Sequence, residues 1–445
     1  MLGKLTRVFN RLGQLRRMCA TVPYYGFVTG HGYLTDAQVD DIRRLVDNPA
    51  TGAQVVADYE RAFVRAIAGS QQPGQGMALA GGRMALWVIL KALGIGPGDE
   101  VIVPGFTCAV VASAILRTGA TPVYTDVDPD TFGTSPDAVT RAMTPRTRAV
   151  IAQHSFGIPC KADQLRDITT ARDIALIEDC ALTLGSTLNG TPVGHFGDAA
   201  FFSTDHSKPL NTLVGGFLYT RNAELFAKAQ CLVEHAGTLP ADQQQRLFNQ
   251  FLLERRLARP ASYGIYQLAM LVRSVMRKIR KRGMTFLDDD YTVERSGAYP
   301  YPARMPAMLA RLGLHELERW PAEARRRADI LTRYVRAAQG TPVEHMLPAA
   351  YTDPARHIVG HRFAYRHPKA EDHHTRMDAR VHTAWTWFPV PVLGATQGLA
   401  SLGYHTGACP VSEQVGQGIV NWPCVIEAGT EKPLLDFFAT VARQG

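Results

Sequence analysis

The sequence predicts an α/β fold, with a mostly parallel sheet flanked by helices and a smaller C-terminal α+β domain. Between about Gly82 and Thr220, short apolar segments of strand length alternate with segments of helical periodicity. This alternation indicates crossover connections, which produce parallel strands with helices on both faces of the sheet. The 445 residues, 46% of them hydrophobic, are sufficient for more than one domain.

The strands and helices of the large domain can be assigned in order. "EVIVPGF" is typical of a strand, "AVVASAILRTG" of a helix that ends at glycine, and "TPVYTDV" of the next strand. A helix near "SPDAVTRAM", the strand "RAVIAQHS", a helix from about Lys161 and the strand "IALIED" follow. Ligands in such sheets bind beyond the carboxyl ends of the strands. The candidate site residues therefore follow these strands: Phe106 to Cys108, His154, Asp179, and Ser203 to Lys208.

We predict three regions along the chain. Residues 1–236 form an N-terminal segment and the large domain, residues 237–300 a basic amphipathic helical insert, and residues 301–445 a connecting helix and the small domain. The insert interrupts the strand–helix alternation. The connecting helix begins at "MPAMLARLGLHELERW", and "HRFAYRH" and "AWTWFPV" are the strand candidates of the small domain.

The net charge and the cysteine content exclude only a few classes of partner and site. The net charge of +8 favours acidic partners such as phosphates, anionic lipids or nucleic acid. Since the charge is spread and no nucleic-acid-binding module is recognisable, we expect no nucleic-acid partner. The seven cysteines lack a CxxC pair, so we expect reduced thiols in the cytosol and no metal site. No apolar run reaches the roughly 20 residues that span a bilayer, and the N-terminus lacks the apolar core of a secretory signal.

The segment "AFFSTDHSKPLNTLVGGFLYT" contains one lysine, Lys208, between two apolar strands. A desolvated lysine can form a Schiff base with a carbonyl compound. Ser203, at the end of the preceding strand, would donate to a phosphate, and Asp179, at the end of "IALIED", would hold a protonated ring nitrogen. Taken singly, a strand-end serine and a strand-end aspartate also fit structural roles, in turns and caps.

A glycine turn precedes these residues in the chain. In "GGRMALWVILKALG", Gly81 and Gly82 stand directly before a helix, whose N-terminus would present free N–H groups and a positive dipole to a phosphate. Arg83 would add a charged contact. Alone, this turn also fits a plain helix entry. In the order glycine turn, Asp, Ser, Lys, the set meets the needs of pyridoxal 5′-phosphate.

The sequence resembles the DegT/StrS-type nucleotide-sugar aminotransferases, which have the aspartate-aminotransferase, or type I, fold. The matching segments are "VADYERAFVRAIAG", "ALGIGPGDEVIVPGFT", "TPVYTDVDPDTF", "HSFGIP", "IEDCALTLGS", "GDAAFFSTDHSKPL", "RMPAMLARLGLHELER" and "CPVSEQVGQGIVNWP". The resemblance implies that Lys208 forms the Schiff base with pyridoxal phosphate and that Asp179 partners the pyridine nitrogen. Ser203 and the backbone of Gly82 and Arg83 would hold the phosphate.

The resemblance also implies an activity and an assembly. The expected reaction moves an amino group, from glutamate as the donor, to a keto group of a sugar carried on a nucleotide or a lipid, in glycan or secondary-metabolite biosynthesis. The family is dimeric with shared active sites, so a homodimer is expected. A related branch has histidine in place of the lysine and catalyses dehydration. Position 208 is lysine, although His206 is close, which favours transamination; a dehydratase, a lyase or an inactive cofactor-binding homologue are the alternatives.

Several positions around the expected cofactor depart from the family pattern. Cys108 replaces an aromatic residue that stacks on the cofactor ring, and Leu182 replaces a glutamine. Pro302 stands where the family has an asparagine that reaches the neighbouring subunit's phosphate. Gly81-Gly82-Arg83 replaces Ser-Gly-Thr, and Arg83 would compensate for lost phosphate contacts. His154 completes the set of residues expected around the cofactor. Leu213-Val214 stands where the family has a more polar, glycine-containing pair, and together with Leu182 it predicts a less polar pocket than is usual for a sugar.

Two basic amphipathic segments are further departures. In the insert, large apolar residues recur at helical spacing and six cations crowd the C-terminal half; the first twenty residues repeat this theme. Such helices can lie among the headgroups of an anionic membrane. We therefore expect a cytoplasmic protein that contacts the inner face of the membrane through residues 1–18 and 260–283. The alternative is a helix that packs on the protein's own core and has a solvated basic face.

Overall fold

The large domain is built on a seven-stranded sheet with helices on both faces. The computed structural model describes residues 21–279, 299–382, 391–395 and 397–444. The strands are Gln75–Leu79 (β1), Glu100–Pro104 (β2), Thr107–Cys108 (β3), Thr121–Thr125 (β4), Thr147–Gln153 (β5), Ala175–Asp179 (β6), Thr187–Leu188 (β7), Thr191–Pro192 (β8), Ala199–Ser203 (β9), Gly216–Thr220 (β10), Arg356–His357 (β11), Arg362–Arg366 (β12), Val392–Leu393 (β13) and Ile419–Pro423 (β14).

The α-helices have the following bounds. They are Asp36–Asp47 (α1), Ala53–Ala68 (α2), Gly82–Ala92 (α3), Ala109–Leu116 (α4), Pro136–Ala142 (α5), Ala162–Thr170 (α6), Ala223–Val233 (α7), Ala241–Leu257 (α8), Tyr263–Ile279 (α9), Ala307–Ala338 (α10), Ala370–Met377 (α11), Pro410–Gly418 (α12) and Glu431–Arg443 (α13). The predicted alternation from β2 to β6 is confirmed element by element.

The order of the main sheet is β1-β10-β9-β6-β5-β2-β4. Strands β9, β6, β5, β2 and β4 run parallel, and β10 is antiparallel to both of its neighbours. The five residues of β2 are all buried, as expected for a strand covered on both faces. In register, Gln153 pairs with Asp179 and Asp179 with Phe201, so the carboxyl ends of three strands meet at one edge.

Helix α10 connects the large domain to the small domain. Its 32 residues span about 48 Å. The first half, including Met308 and Leu312, packs in the core of the main sheet, and the second half, including Ile330 and Tyr334, packs in a second apolar core. This second core contains the antiparallel pair β12–β14 and helix α13. "HRFAYRH" thus forms a strand as predicted, whereas residues 383–390, with all of "AWTWFPV", lie outside the described residues.

The region predicted as an insert begins with two helices. Helix α8 packs on the large domain, because Leu247, Phe248 and Phe251 belong to the core of the main sheet. Helix α9 lies against α8 and extends to Ile279; residues 280–298 are outside the described ranges. Among the residues that are described, no helix is both long and apolar enough to cross a membrane. The division of the chain into three regions remains a prediction.

Candidate active site

The glycine turn before α3 packs backbone against backbone on the strands β9 and β10. A Cβ atom on Gly82 would lie 3.1 Å from the Cβ of Ser203 and 3.2 Å from the carbonyl oxygen of Phe202. A Cβ atom on Gly216 would overlap the backbone nitrogen of Gly82. The first internal bonds of α3 run from Met84 to the Gly81 carbonyl, and the N–H groups before it lie in the unpaired first turn. The structure therefore brings Gly82 and Ser203 together at a helix N-terminus, which is a kind of position where backbone N–H groups can bind an anion.

Lys208 lies in a loop that connects β9 to β10 and that is closed by its own hydrogen bonds. Its backbone N–H donates to the Asp205 carbonyl at 2.9 Å, and that of His206 donates to the Leu213 carbonyl at 3.0 Å. Across the base of the loop, the hydroxyl groups of Thr204 and Thr212 are 2.6 Å apart. Because both ends of the loop are fixed to the sheet, the position of the lysine is set by the strands.

The loop contains a residue in an unusual backbone conformation. Leu213 has φ of 70°, in the left-handed region, which costs a non-glycine residue about 1–2 kcal/mol. Its side chain is buried in the main core, and its N–H donates to Asn211 Oδ1 at 2.9 Å. Burial of the leucine side chain compensates for the strain. The apolar pair Leu213-Val214 thus belongs to the protein core that supports the loop.

Asp179 occupies the carboxyl end of β6. It is buried, and its Oδ1 accepts a hydrogen bond from the Ala181 N–H at 3.0 Å. Burial raises the pKa of Asp179, and the Ala181 N–H and the positive charge of Lys208 oppose that increase. Asp179 ends β6, and Lys208 lies in the loop after the neighbouring parallel strand β9, so both residues lie at the same edge of the sheet. The role of this pair in a site remains a prediction.

Asp205 and His206 form an ion pair beside the lysine. Burial opposes ionisation of Asp205, yet the charges of His206, Lys208 and Arg83 lower the pKa of this carboxyl group. Arg83 is itself buried in the first turn of α3. The acidic residue therefore lies within the lysine loop and interacts with the charge of Arg83 at the start of α3. The sequence pattern included Asp205 only as part of the candidate range Ser203 to Lys208 and gave it no role of its own.

His154 follows β5 and is fully buried next to Asp179. Its Nδ1 accepts the Cys160 N–H at 3.1 Å, so Nε2 carries the proton and donates to Glu178 Oε2 at 3.0 Å. The same carboxylate accepts the N–H groups of Gly194, Phe196 and Gly197. One ring nitrogen of His154, one carboxylate oxygen of Glu178 and Cys180 Sγ all lie within 4.8 Å of one another. Since both ring nitrogens of His154 bond to protein groups, the ring is fixed in place behind Asp179.

Cys108 and Leu182 belong to one apolar cluster. Leu182 is a buried member of the second core, and Cys108, half-buried at the N-terminus of α4, packs against the same core. Phe106 and Phe156 lie in this cluster with ring centroids 6.1 Å apart. The two departures from the family pattern are thus neighbours of the same apolar surface.

The small domain and α10 contribute two residues that sequence reasoning missed. Arg327 donates from Nη2 to the carbonyl oxygen of Pro209, directly after Lys208. His361 is buried; burial and the charges of Arg362 and Arg327 lower its pKa well below the ordinary value. The charge of Lys208 acts on His361 in the same direction. The sequence gives no local signal for either residue, because each lies more than 100 positions from the lysine.

Sequence comparison identifies the family. The DegT/DnrJ/EryC1/StrS aminotransferase family matches residues 38–433. The chain belongs to this family. The expected resemblance and the expected fold are thereby confirmed.

Two curated relatives each match a little under half of this chain. The chain is 37% identical over 205 residues to the UDP-N-acetyl-3-dehydro-α-D-glucosamine 3-aminotransferase of Acidithiobacillus ferrooxidans, which covers 46% of this chain and 55% of the relative. It is 38% identical over 201 residues to the L-glutamine:2-deoxy-scyllo-inosose aminotransferase of Micromonospora echinospora, covering 45% and 47%. The chain thus spans about half the length of these curated relatives.

A solved structure confirms the fold. Spr1654 of Streptococcus pneumoniae, described as a sugar aminotransferase and solved in its PMP form, superposes with a TM-score of 0.68 at 22% identity. The alignment covers 95% of this chain and 100% of that chain. The family fold therefore extends across both domains of this protein.

Proposed function

We propose that the protein is a pyridoxal-phosphate-dependent aminotransferase that moves an amino group from glutamate or glutamine to a keto group of a sugar. The observation that carries the proposal is the arrangement at the strand ends, where the buried Asp179 and the Lys208 loop lie at one edge of the sheet beside the Gly82–Ser203 contact. Family membership supports it, and so do the activities named for the two curated relatives, which act on a keto sugar and on an inosose.

The residues present fit the cofactor. At the Gly82 turn a Cβ atom would lie only 3.1 Å from Ser203 Cβ, so glycine lets the start of α3 pack closely on β9, and the backbone N–H groups of its first turn lie where a phosphate is expected. Arg83 brings positive charge to the same turn, as its effect on Asp205 indicates. The cofactor phosphate would be held by Ser203, the first turn of α3 and Arg83. The pyridine nitrogen would be held by Asp179, and the aldehyde carbon by Lys208.

The chain's own groups then have defined tasks. Pyridoxal phosphate, when bound, supplies the electron sink for the carbon that carries the amino group. Asp179 keeps a proton on the ring nitrogen, because a buried carboxylate stabilises the charged form of its partner. Lys208 Nζ would take the proton from Cα of the donor and pass it to the cofactor, and in the second half of the cycle it would move a proton from the cofactor to the acceptor carbon. The cluster of Cys108 and Leu182 would form the apolar wall of the pocket.

Dehydration is the alternative reaction. The lysine at position 208 favours transamination, because a dehydratase of the histidine type lacks an amine at this position. His206 is already committed to an ion pair with Asp205. The proposal thus assigns the proton transfer to Lys208.

Assembly and location are further parts of the proposal. We propose a homodimer with shared active sites, in the cytoplasm and in contact with the inner face of the membrane. The contact would involve residues 1–18 and 260–283, of which residues 1–18 and 280–283 lie outside the described residues. The described part of the second segment is α9.

A spectral titration of the holoenzyme with glutamate and with glutamine tests the function. We expect either donor to convert the aldehyde form of the cofactor to the amine form, and a keto sugar to reverse the change. Borohydride reduction before the titration should attach the cofactor to the peptide that contains Lys208. Attachment elsewhere, or cofactor binding without conversion by a donor, would overturn the assignment in favour of another lysine or an inactive homologue.

A further inference from the structure

Helix α9 exposes a continuous stripe of large apolar side chains. Five of them, here called the outer stripe, are between 39% and 59% exposed: Ile265, Leu268, Val272, Val275 and Met276. Their spacing of three or four residues places them on one face of the helix. Soluble proteins rarely leave a contiguous apolar surface of this kind uncovered.

The opposite face of α9 is firmly packed on the protein. Tyr263 and Tyr266 are buried in a cluster with Tyr24 and Val28. The Tyr263 ring lies so close to Gly26 that a Cβ atom there would overlap it. Residues of the outer stripe follow these by two positions, a rotation of about 200° around the helix. The outer stripe therefore points away from the protein.

The sequence around this helix has only one sign of charge. Residues 255–287 contain nine Lys and Arg and no Asp or Glu. The whole chain has 48 basic and 40 acidic residues, so without this segment 39 basic residues face 40 acidic ones. This short segment thus accounts for the whole excess of positive charge, which corrects the expectation that the charge is spread along the chain. Within it, Arg256 and Arg259 are exposed at the end of α8 and in the turn before α9.

We propose that the outer stripe inserts into the headgroup region of an anionic phospholipid bilayer. This inference rests on the proposed function, and it identifies an anionic phospholipid as the partner in the membrane contact. An apolar stripe beside concentrated positive charge matches a surface that offers acyl chains below and phosphates above. A second copy of the chain fits less well, because a two-fold contact would bring this segment against its own image. A segment with nine basic and no acidic residues would then meet a copy of the same charge.

The same helix is close to the lysine loop. Tyr263 and His382 have ring centroids 6.4 Å apart, and His382 and Phe27 have centroids 5.1 Å apart. Phe27 in turn lies 6.1 Å from the ring of His206, two residues before Lys208. A bilayer on the outer stripe would therefore lie one helix thickness from the Tyr263 ring, which is linked to the His206 ring by three successive ring contacts. This position suits an acceptor sugar that is carried on a lipid.

Vesicle co-sedimentation of the full-length holoenzyme tests the proposal. We expect at least about tenfold stronger binding to phosphatidylcholine vesicles that contain phosphatidylglycerol than to phosphatidylcholine alone, and release at high salt. The double variant Leu268→Gln/Val272→Gln should lose this binding. Leu232→Gln is the matched control, because Leu232 is an exposed helical leucine of similar exposure, 38%, on α7. It should bind like the wild type.

The outcomes separate this proposal from its alternatives. Equal binding to both kinds of vesicle, or unchanged binding of the double variant, would overturn it. A loss of dimer mass in the double variant by analytical ultracentrifugation would show that a second copy covers the stripe. Circular dichroism checks that the variant folds, and the salt response of the wild type supplies a test that needs no variant. Conversion of the cofactor by glutamate, measured in parallel, should be unaffected; its absence in a wild type that binds vesicles would overturn only the aminotransferase assignment.

Discussion

Arg327 on α10 donates from Nη2 to the carbonyl oxygen of Pro209 at 2.9 Å, and Pro209 directly follows Lys208. Its Nε donates to Glu323 Oε1 at 2.7 Å, one helical turn earlier. Arg327 is buried, so both bonds lie in the protein interior. The connecting helix therefore holds the lysine loop through a guanidinium group that a carboxylate neutralises.

Arg327→Met is expected to destabilise the protein and to loosen the lysine loop. The substitution leaves the Pro209 carbonyl oxygen without this donor. It also leaves the largely buried carboxylate of Glu323 with one cationic partner instead of two. We expect the free energy of unfolding to fall by about 3 kcal/mol, at the lower end for a broken buried pair because Arg326 keeps its bonds to Glu323. Denaturant titration measures the change.

On the same helix, Arg333 pairs with Asp329 on the surface at 3.7 Å, so Arg333→Met should change stability by less than about 0.5 kcal/mol. Equal effects would contradict the buried link.

The stability of this link should depend on pH in the acid range. Burial opposes ionisation of Glu323, but Arg327 and Arg326 lower its pKa to about 2, from an ordinary value of 4.5. A carboxyl group whose pKa is lowered by folding stabilises the protein above its unfolded pKa and loses this contribution as the pH falls through its folded pKa. The difference in the free energy of unfolding between the wild type and Glu323→Gln should therefore be constant above about pH 5 and shrink between pH 4.5 and 2. A difference that is independent of pH would show that charge is not the cause.

The strand ends were predictable because the information is local. Asp179 and Ser203 end apolar runs of strand length, and parallel strands place their carboxyl ends at one edge. Lys208 follows one of these ends by five residues, too few to leave that edge. The position of these three residues could therefore be derived before any tertiary contact was known.

The remaining site contacts depend on tertiary packing. Arg327 reaches Pro209 only because α10 crosses from one core to the other, and no periodicity in the sequence encodes that crossing. His154 follows a strand as the other candidates do, yet its ring nitrogens bond to Cys160 and Glu178. The sequence pattern does not distinguish a strand-end side chain that contacts a ligand from one that forms hydrogen bonds with neighbouring protein groups.

Gly82→Ala is expected to weaken cofactor binding. The added Cβ atom would lie 3.1 Å from Ser203 Cβ and 3.2 Å from the Phe202 carbonyl oxygen, so the turn must shift away from β9. We expect the affinity for pyridoxal phosphate to fall by about tenfold or more, which corresponds to about 1.4 kcal/mol. Fluorescence or absorbance titration of the apoprotein measures it. Gly96→Ala is the control, because its Cβ would meet the Thr118 carbonyl oxygen at an ordinary 3.5 Å. Unchanged affinity in Gly82→Ala would exclude the turn from the phosphate site.

Asp179→Asn should separate stability from activity. Because burial raises the pKa of Asp179, ionisation of this carboxyl group costs more free energy in the folded apoprotein than in water, and a neutral amide removes this penalty. The amide oxygen can still accept the Ala181 N–H, so the turn after β6 keeps its hydrogen bond. We expect the apoprotein to be as stable as the wild type or more stable in denaturant titrations.

The rate of cofactor conversion by glutamate should fall by about 10²–10³-fold, because the charge opposite the ring nitrogen is lost. A variant that keeps the wild-type rate would show that Asp179 is a structural cap, and one that loses stability along with activity would show that the carboxylate is needed for folding.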